Sequence, residues 1–384
     1  MATMTALVAL SIDMILPALP AIGSSLGVER ANDNQLVISL LFLGLSVGQL
    51  FYGPMSDSVG RKPAVYVGLC LFISGCVLAL LARSYPMMLA GRFLQGIGVA
   101  GPRTMTIALV RDKFEGRSMA KVMSLIMAIF ILVPIIAPTL GQAILSVSNW
   151  RTIFALYLTL GLVACVWFGL RQEETLSPDR RIPFSLAQIA GAFRRVATSR
   201  VVLGYTMSAG LIFGAFVGYL SSAQQILQEQ YRLGTRFPLY FAMLAIAIGA
   251  ASLLNARLVM RHGMRVLSVW SLRIICGASM VFLAIVYALA GQPPLWALMA
   301  YLTLSFFCIG LLFGNLNAMA MQPLGQIAGT GAAVVGALTT LTSLVLGTLI
   351  GQSYNGTVLP LVAGFAILGA LATIGMRWAE SGGR

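Results

Sequence analysis

Charge is what this chain has least of. Only 9% of its 384 residues are Asp, Glu, Lys or Arg, only 11 of those are acidic, and there is one histidine. So little charge cannot clothe a soluble globule. With 59% hydrophobic residues and a mean hydropathy of +0.91, far too much apolar surface would be left in water, and a polytopic membrane protein is expected. A lone histidine leaves no histidine relay, and His262 lies in a loop among cations, where a solvated side chain is expected. The five cysteines, Cys70, Cys76, Cys165, Cys276 and Cys308, fall in apolar runs without the close spacing of a metal site and read as small packing residues. The apolar runs hold no histidine cluster, paired carboxylates or nucleophile with a base, so no enzyme is expected. They also lack the carboxylate ring or filter loop of a channel. The first run has no basic leader and contains Asp13, Pro17 and Pro20, so a cleaved signal peptide is not expected.

What the chain has is long apolar runs. Twelve are long enough to cross the hydrocarbon, where the backbone must be helical to satisfy its polar groups. They are placed at 2–24, 34–54, 64–82, 87–110, 122–145, 152–170, 201–222, 237–260, 266–289, 294–318, 330–352 and 358–378. The longest polar stretch, 171–200, divides an N-terminal six-helix half, 1–170, from a C-terminal one, 201–384. The net charge of +14 would suggest a nucleic-acid partner in a soluble protein, but here the cations fall in loops, where membrane topology explains them. If the charged turn at 55–63 faces inward, 17 Lys and Arg residues lie in inner segments, 5 in outer ones, and Arg92, Arg103 and Arg273 within spans. That asymmetry predicts cytoplasmic termini. In the linker, Leu186, Ile189, Phe193 and Val196 recur at helical spacing beside Arg194, Arg195 and Arg200. Two readings fit: a helix lying on an anionic inner leaflet, or an ordinary solvated linker.

The turn itself reads Gly53-Pro-Met-Ser-Asp57-Ser-Val-Gly60-Arg61-Lys62. It resembles the G-x-x-x-D-x-x-G-R-K pattern between the second and third spans of the major facilitator superfamily, with Ser58 where that pattern usually carries another Arg. The resemblance implies an all-α membrane protein with twelve transmembrane helices in two six-helix bundles. It also implies a conformational role for Gly53, Asp57, Gly60, Arg61 and Lys62, with Asp57 latching the inner side closed. A worn second copy, Arg257-Leu-Val-Met260-Arg261-His262-Gly263-Met-Arg265, keeps the glycine and cations and places Met260 where the Asp would be, as an internal repeat predicts.

Arg92-Phe-Leu-Gln95-Gly96-Ile-Gly98 in the fourth span resembles a second motif of the superfamily, in which the Arg is linked to proton coupling. A guanidinium in hydrocarbon must face a cavity or a partner, so Arg92 is expected to point inward. Arg103 lies three turns further on the same face and could contact substrate or snorkel to the surface; Arg273 faces the same choice. Pro134, Ala137, Pro138, Gly141 and Gln142 in the fifth span partly match the antiporter motif G-P-x-x-G-G. Asp13-Met-Ile-Leu-Pro17-Ala-Leu-Pro20, Arg111-Asp112, Asn149-Trp150-Arg151 and Phe313-Gly314-Asn315 with Gln322 and Gly325 resemble the Bcr/CflA drug-resistance exporters. That likeness implies a proton-coupled efflux antiporter of the bacterial inner membrane, with small amphipathic antibiotics of the chloramphenicol, florfenicol or bicyclomycin sort as substrates. A major facilitator importer of a small metabolite is the alternative. Expected partners are the bilayer, protons and small amphipathic drugs, with a proton gradient in place of a cofactor, no nucleic acid and a monomeric state. Of the 11 acids, Asp13 alone lies deep in a span, which makes it the candidate proton carrier beside Arg92. The expected substrate cavity is lined by Asp13, Arg92, Gln95, Arg103, Tyr205, Tyr219, Tyr240 and Arg273.

Overall fold

Apolar runs become helices because lipid offers the backbone no other partner, and proline and glycine decide where those helices stop. The computed structural model describes residues 2–114 and 116–381; Glu115 and Arg384, expected in a loop and in the tail, lie outside them. Among the described residues fourteen α-helices follow one another: α1 (Ala2–Asp13), α2 (Leu19–Ser25), α3 (Leu36–Val59), α4 (Arg61–Leu80), α5 (Tyr85–Lys113), α6 (Gly116–Val147), α7 (Trp150–Arg171), α8 (Leu186–Thr198), α9 (Arg200–Gln224), α10 (Phe237–His262), α11 (Met264–Ala288), α12 (Leu295–Met321), α13 (Ala328–Gln352) and α14 (Leu359–Glu380). Helices α1 and α2 are the two pieces of one broken span. Among the described residues ten spans are long and apolar enough to cross a membrane. The remaining two of the expected twelve are α5, which carries Arg92 and Arg103, and α6, whose apolar part is the shorter Leu132–Val147.

The chain forms two compact units, one of residues 1–192 with 332–337, the other of 193–331 with 338–384. In the first, α3 and α5 approach so closely that a Cβ on Gly44 would lie 2.1 Å from the Phe93 carbonyl oxygen, and one on Gly96 2.1 Å from that of Leu41. Hydrophobicity cannot drive helices together in lipid, so backbone contact through small residues takes its place.

The charged turn is tighter than expected at 55–63. Helix α3 runs on to Val59 and α4 starts at Arg61, leaving Gly60 as the sole link at φ 108° and ψ 161°. A side chain is strained in that backbone region. The worn copy repeats the geometry: α10 ends at His262, α11 starts at Met264, and Gly263 between them has φ 80° and ψ 154°.

Candidate functional site

The first span breaks directly after Asp13. Pro17 and Pro20 sit at the opening positions of a 3-10 turn, Leu16–Ala18, and of α2. Proline has no N–H to donate and disfavours helix in the residue before it, so α1 cannot continue. Broken backbone at membrane depth survives only where protein covers it. Gly141 of α6 supplies that cover: its Cβ position would lie 2.0 Å from the Met14 carbonyl oxygen. Pro134 and Pro138 lie in the same continuous helix.

A helix end leaves its last carbonyls short of partners and points the negative end of its dipole there; in α1 the Leu10 carbonyl still accepts the Met14 amide at 3.1 Å. Two side chains answer. Arg92, fully buried, donates through Nη2 to the Ser11 carbonyl at 2.7 Å, through Nε to the Val37 carbonyl at 3.0 Å and through Nη1 to Gln95 Oε1 at 2.7 Å. The Tyr157 hydroxyl donates to the Leu10 carbonyl at 2.9 Å. Gln95 Nε2 donates in turn to Cys76 Sγ at 3.4 Å, and the Arg92 guanidinium carbon lies 6.0 Å from the Phe154 ring centroid. Asp13 is 5% exposed at the break, and among the described residues its carboxylate has neither an ion pair nor a hydrogen bond. Arg92 therefore holds the Ser11 carbonyl at the end of α1, while the Asp13 carboxylate two residues on stays unpaired.

Arg92 and Gln95 are thus joined directly, and Arg92 reaches the Ser11 carbonyl two residues before Asp13 without bonding Asp13 itself. Arg103, half-buried, lies further along α5. In the second unit the residues expected in the cavity disperse. Tyr219 is buried in an aromatic cluster, 4.8 Å from Phe306 and 6.0 Å from Phe241 between centroids. Tyr205, four turns away on α9, is buried and feels the charge of Glu380 near the end of α14. Tyr240 is half-buried on α10, and the exposed Arg273 lies over the Trp270 ring at 5.5 Å.

Around Gly60 a second cluster forms. Arg61, itself buried, donates through Nη1 to Asp57 Oδ1 at 2.5 Å and to Ser56 Oγ at 2.7 Å, and through Nε to Asp112 Oδ2 at 3.1 Å. Ser56 Oγ donates to the Gly53 carbonyl at 2.8 Å, and Lys62 Nζ to that of Gly169 at 3.2 Å. Sequence reasoning left Glu174 as a loop acid. Its carboxylate instead caps α4, accepting from the Arg61 and Lys62 amides at 3.0 Å each, and folds back on the Thr175 and Leu176 amides at 2.9 Å. Partial burial pushes the Glu174 pKa up, but these amide donors outweigh it and leave the group below the usual glutamate range. Thr175 Oγ1 donates to Asp112 Oδ2 at 3.1 Å, and the Ile182 amide to the Asp57 carbonyl at 2.9 Å. In the second unit Arg265 plays the part of Arg61 with another acid, Glu380, at 2.7 Å through Nε and through Nη2.

The cluster residues missed in the sequence, Tyr157, Cys76 and Glu174, carry no local signal. Tyr157 stands one turn after Phe154 on a packed face, and Glu174 follows a span end like any solvated acid.

An MFS-type transporter of Bacillus subtilis (strain 168), YdgK, is 30% identical over 373 residues, covering 96% of this chain and 92% of that protein. A bicyclomycin resistance protein homolog of Haemophilus influenzae is 30% identical over 367 residues, covering 91% and 87%. The crystal structure of a D-xylose-proton symporter superposes with a TM-score of 0.74 at 15% identity, covering 98% of this chain and 95% of that one, which is a likeness of fold. The sequence profile of the Major Facilitator Superfamily matches residues 1–351, and with the helical architecture and the two charged clusters this leads to one conclusion: the chain belongs to the Major Facilitator Superfamily, a family of multi-pass membrane transporters and not of enzymes.

Proposed function

We propose that the protein is a proton-coupled exporter of small amphipathic antibiotics in the bacterial inner membrane, both termini cytoplasmic, working as a monomer by alternating access. The observation that carries the coupling is the unpaired, buried Asp13 carboxylate at the break of the first span, two residues after the Ser11 carbonyl that Arg92 holds. Drug binds from inside while Asp13 is ionised. After the change of state Asp13 takes a proton from outside, drug leaves, and the proton is released inside on return. Arg92, Gln95, Arg103, Tyr205, Tyr219, Tyr240 and Arg273 complete the proposed cavity. Gly53, Asp57, Gly60, Arg61 and Lys62, with Pro134, Pro138 and Gly141, serve the conformational change. The relative named for bicyclomycin resistance supports antibiotic export over import. The D-xylose-proton symporter is like this chain in fold alone and does not argue for import.

The test is Asp13→Asn in inverted vesicles, following drug binding together with drug-induced proton release. Binding retained with proton release lost is expected. Undiminished proton release would remove Asp13 as the carrier.

A further inference from the structure

The start of the segment between α7 and α9, from Glu174 to Ile182, belongs to the face of the charged turn, since Glu174 caps α4 and the Ile182 amide bonds the Asp57 carbonyl. Both ends of the segment carry the same device. Arg171, the last residue of α7, lies over the Trp167 ring at 5.5 Å. Arg200, the first residue of α9, lies over the Trp378 ring at 5.0 Å and donates through Nε to the Trp378 carbonyl at 2.6 Å. Trp167 and Trp378 are 64% and 44% exposed. An exposed indole under a guanidinium at the end of an apolar helix marks the boundary between hydrocarbon and headgroups. Only Ser199 separates α8 from α9, so α8 is tethered at that level.

Half of the apolar arc of α8 is used within the protein: Ala192 and Val196 are buried. The other half is open. Leu186 and Phe193, two turns apart on one line, are 64% and 49% exposed, and Ile182 and Phe184 just upstream are exposed as well. Arg194 and Arg195 are exposed beside this edge, and among the described residues neither they nor Arg171 has a carboxylate partner. Large apolar groups and unpaired cations together on a helix tethered at the headgroup level fit a lipid surface of negative charge.

We propose that α8 is a docking site for anionic phospholipid, with Leu186 and Phe193 of this one helix entering the acyl boundary and Arg194 and Arg195 holding headgroup phosphate. The full-length chain, its five native cysteines replaced by alanine and a bimane label on Leu186→Cys, is reconstituted in phosphatidylcholine vesicles with or without phosphatidylglycerol. Brominated phosphatidylglycerol is expected to quench the label more than brominated phosphatidylcholine at equal mole fraction. R194Q/R195Q should weaken that preference about fivefold per arginine, the ~1 kcal/mol that each cation gains near an anionic surface, and R194K/R195K should retain it. The unlabelled native chain should also co-purify more phosphatidylglycerol than R194Q/R195Q, which covers the case of a misfolded labelled variant. Quenching by aqueous iodide with no response to either brominated lipid would overturn the proposal, since α8 would then be solvated. So would equal quenching by the two lipids, an unchanged preference in R194Q/R195Q, or loss of the preference to added inorganic phosphate.

Discussion

Glu174 shows how much one exposed carboxylate can organise when it meets a helix start. Four backbone N–H groups converge on it, two of them at the first turn of α4, where amides have no helical acceptor. Its pKa is lowered in the folded chain, so the stabilisation is present above the ordinary glutamate value and is lost as pH falls through the lower, folded one. Hydrogen exchange of the Arg61, Lys62 and Leu176 amides should therefore stay slow through mildly acidic pH and speed up only below the usual glutamate range. Glu174→Gln should accelerate it at neutral pH by an amount equal to about 1 kcal/mol, the usual cost of losing a cap, kept small because water reaches the group. Exchange that is independent of both pH and the substitution would mean that the carboxylate is idle. The second acid of the cluster was partly visible in the sequence: Asp112 stands out as an acid closing a span. That it bonds Arg61, 51 residues away, was not visible, because nothing in local composition records which helix end lies beside which.

At the scale of elements, glycine placement separates helices that touch through backbone from those that do not. Gly96 is pressed against the Leu41 carbonyl, whereas a Cβ on Gly314 of α12 would meet nothing within 4 Å. Gly96→Ala is expected to lower stability by about 1–3 kcal/mol through overpacking. Gly314→Ala should be neutral within about 0.5 kcal/mol, or slightly stabilising through helix propensity. Thermal unfolding of the two variants in the same detergent reads the difference, and equal midpoints would discard the close α3–α5 contact. Both glycines lie in motifs read from the sequence, yet only the packed structure distinguishes them. The existence of the helices was legible because backbone satisfaction in lipid is a local demand. The reduction of the charged turn to Gly60 alone was not, since a helix end that clears the hydrocarbon can run on through polar residues such as Ser56, Asp57 and Ser58 without a change in pattern.

For the whole molecule, the 17 to 5 division of cations gives an orientation that a labelling experiment reads directly. In a background with the native cysteines replaced, a single cysteine at Ser185, between α7 and α8, should be shielded from an impermeant thiol reagent added outside intact cells. One at Gln228, in the π-helical turn after α9, should react. The reverse pattern would invert the topology and with it the face assigned to the charged turn. The two clusters on which function is argued differ in how they were found. The sequence alone determined that the chain spans a membrane many times, that its cations gather at span ends, that a glycine among cations recurs at Gly60 and Gly263, and that Asp13 is an acid deep in a span. Each of these follows from hydropathy, backbone hydrogen bonding or backbone geometry, which act over a few neighbouring residues. Only the tertiary structure decided that Arg92 binds the Ser11 carbonyl, 81 residues away, in place of the Asp13 carboxylate, and that Glu174 reaches the Arg61 amide across 113 residues. Those pairings depend on which faces the helices present once their small residues have brought the backbones together, and a one-dimensional pattern does not contain that rotation.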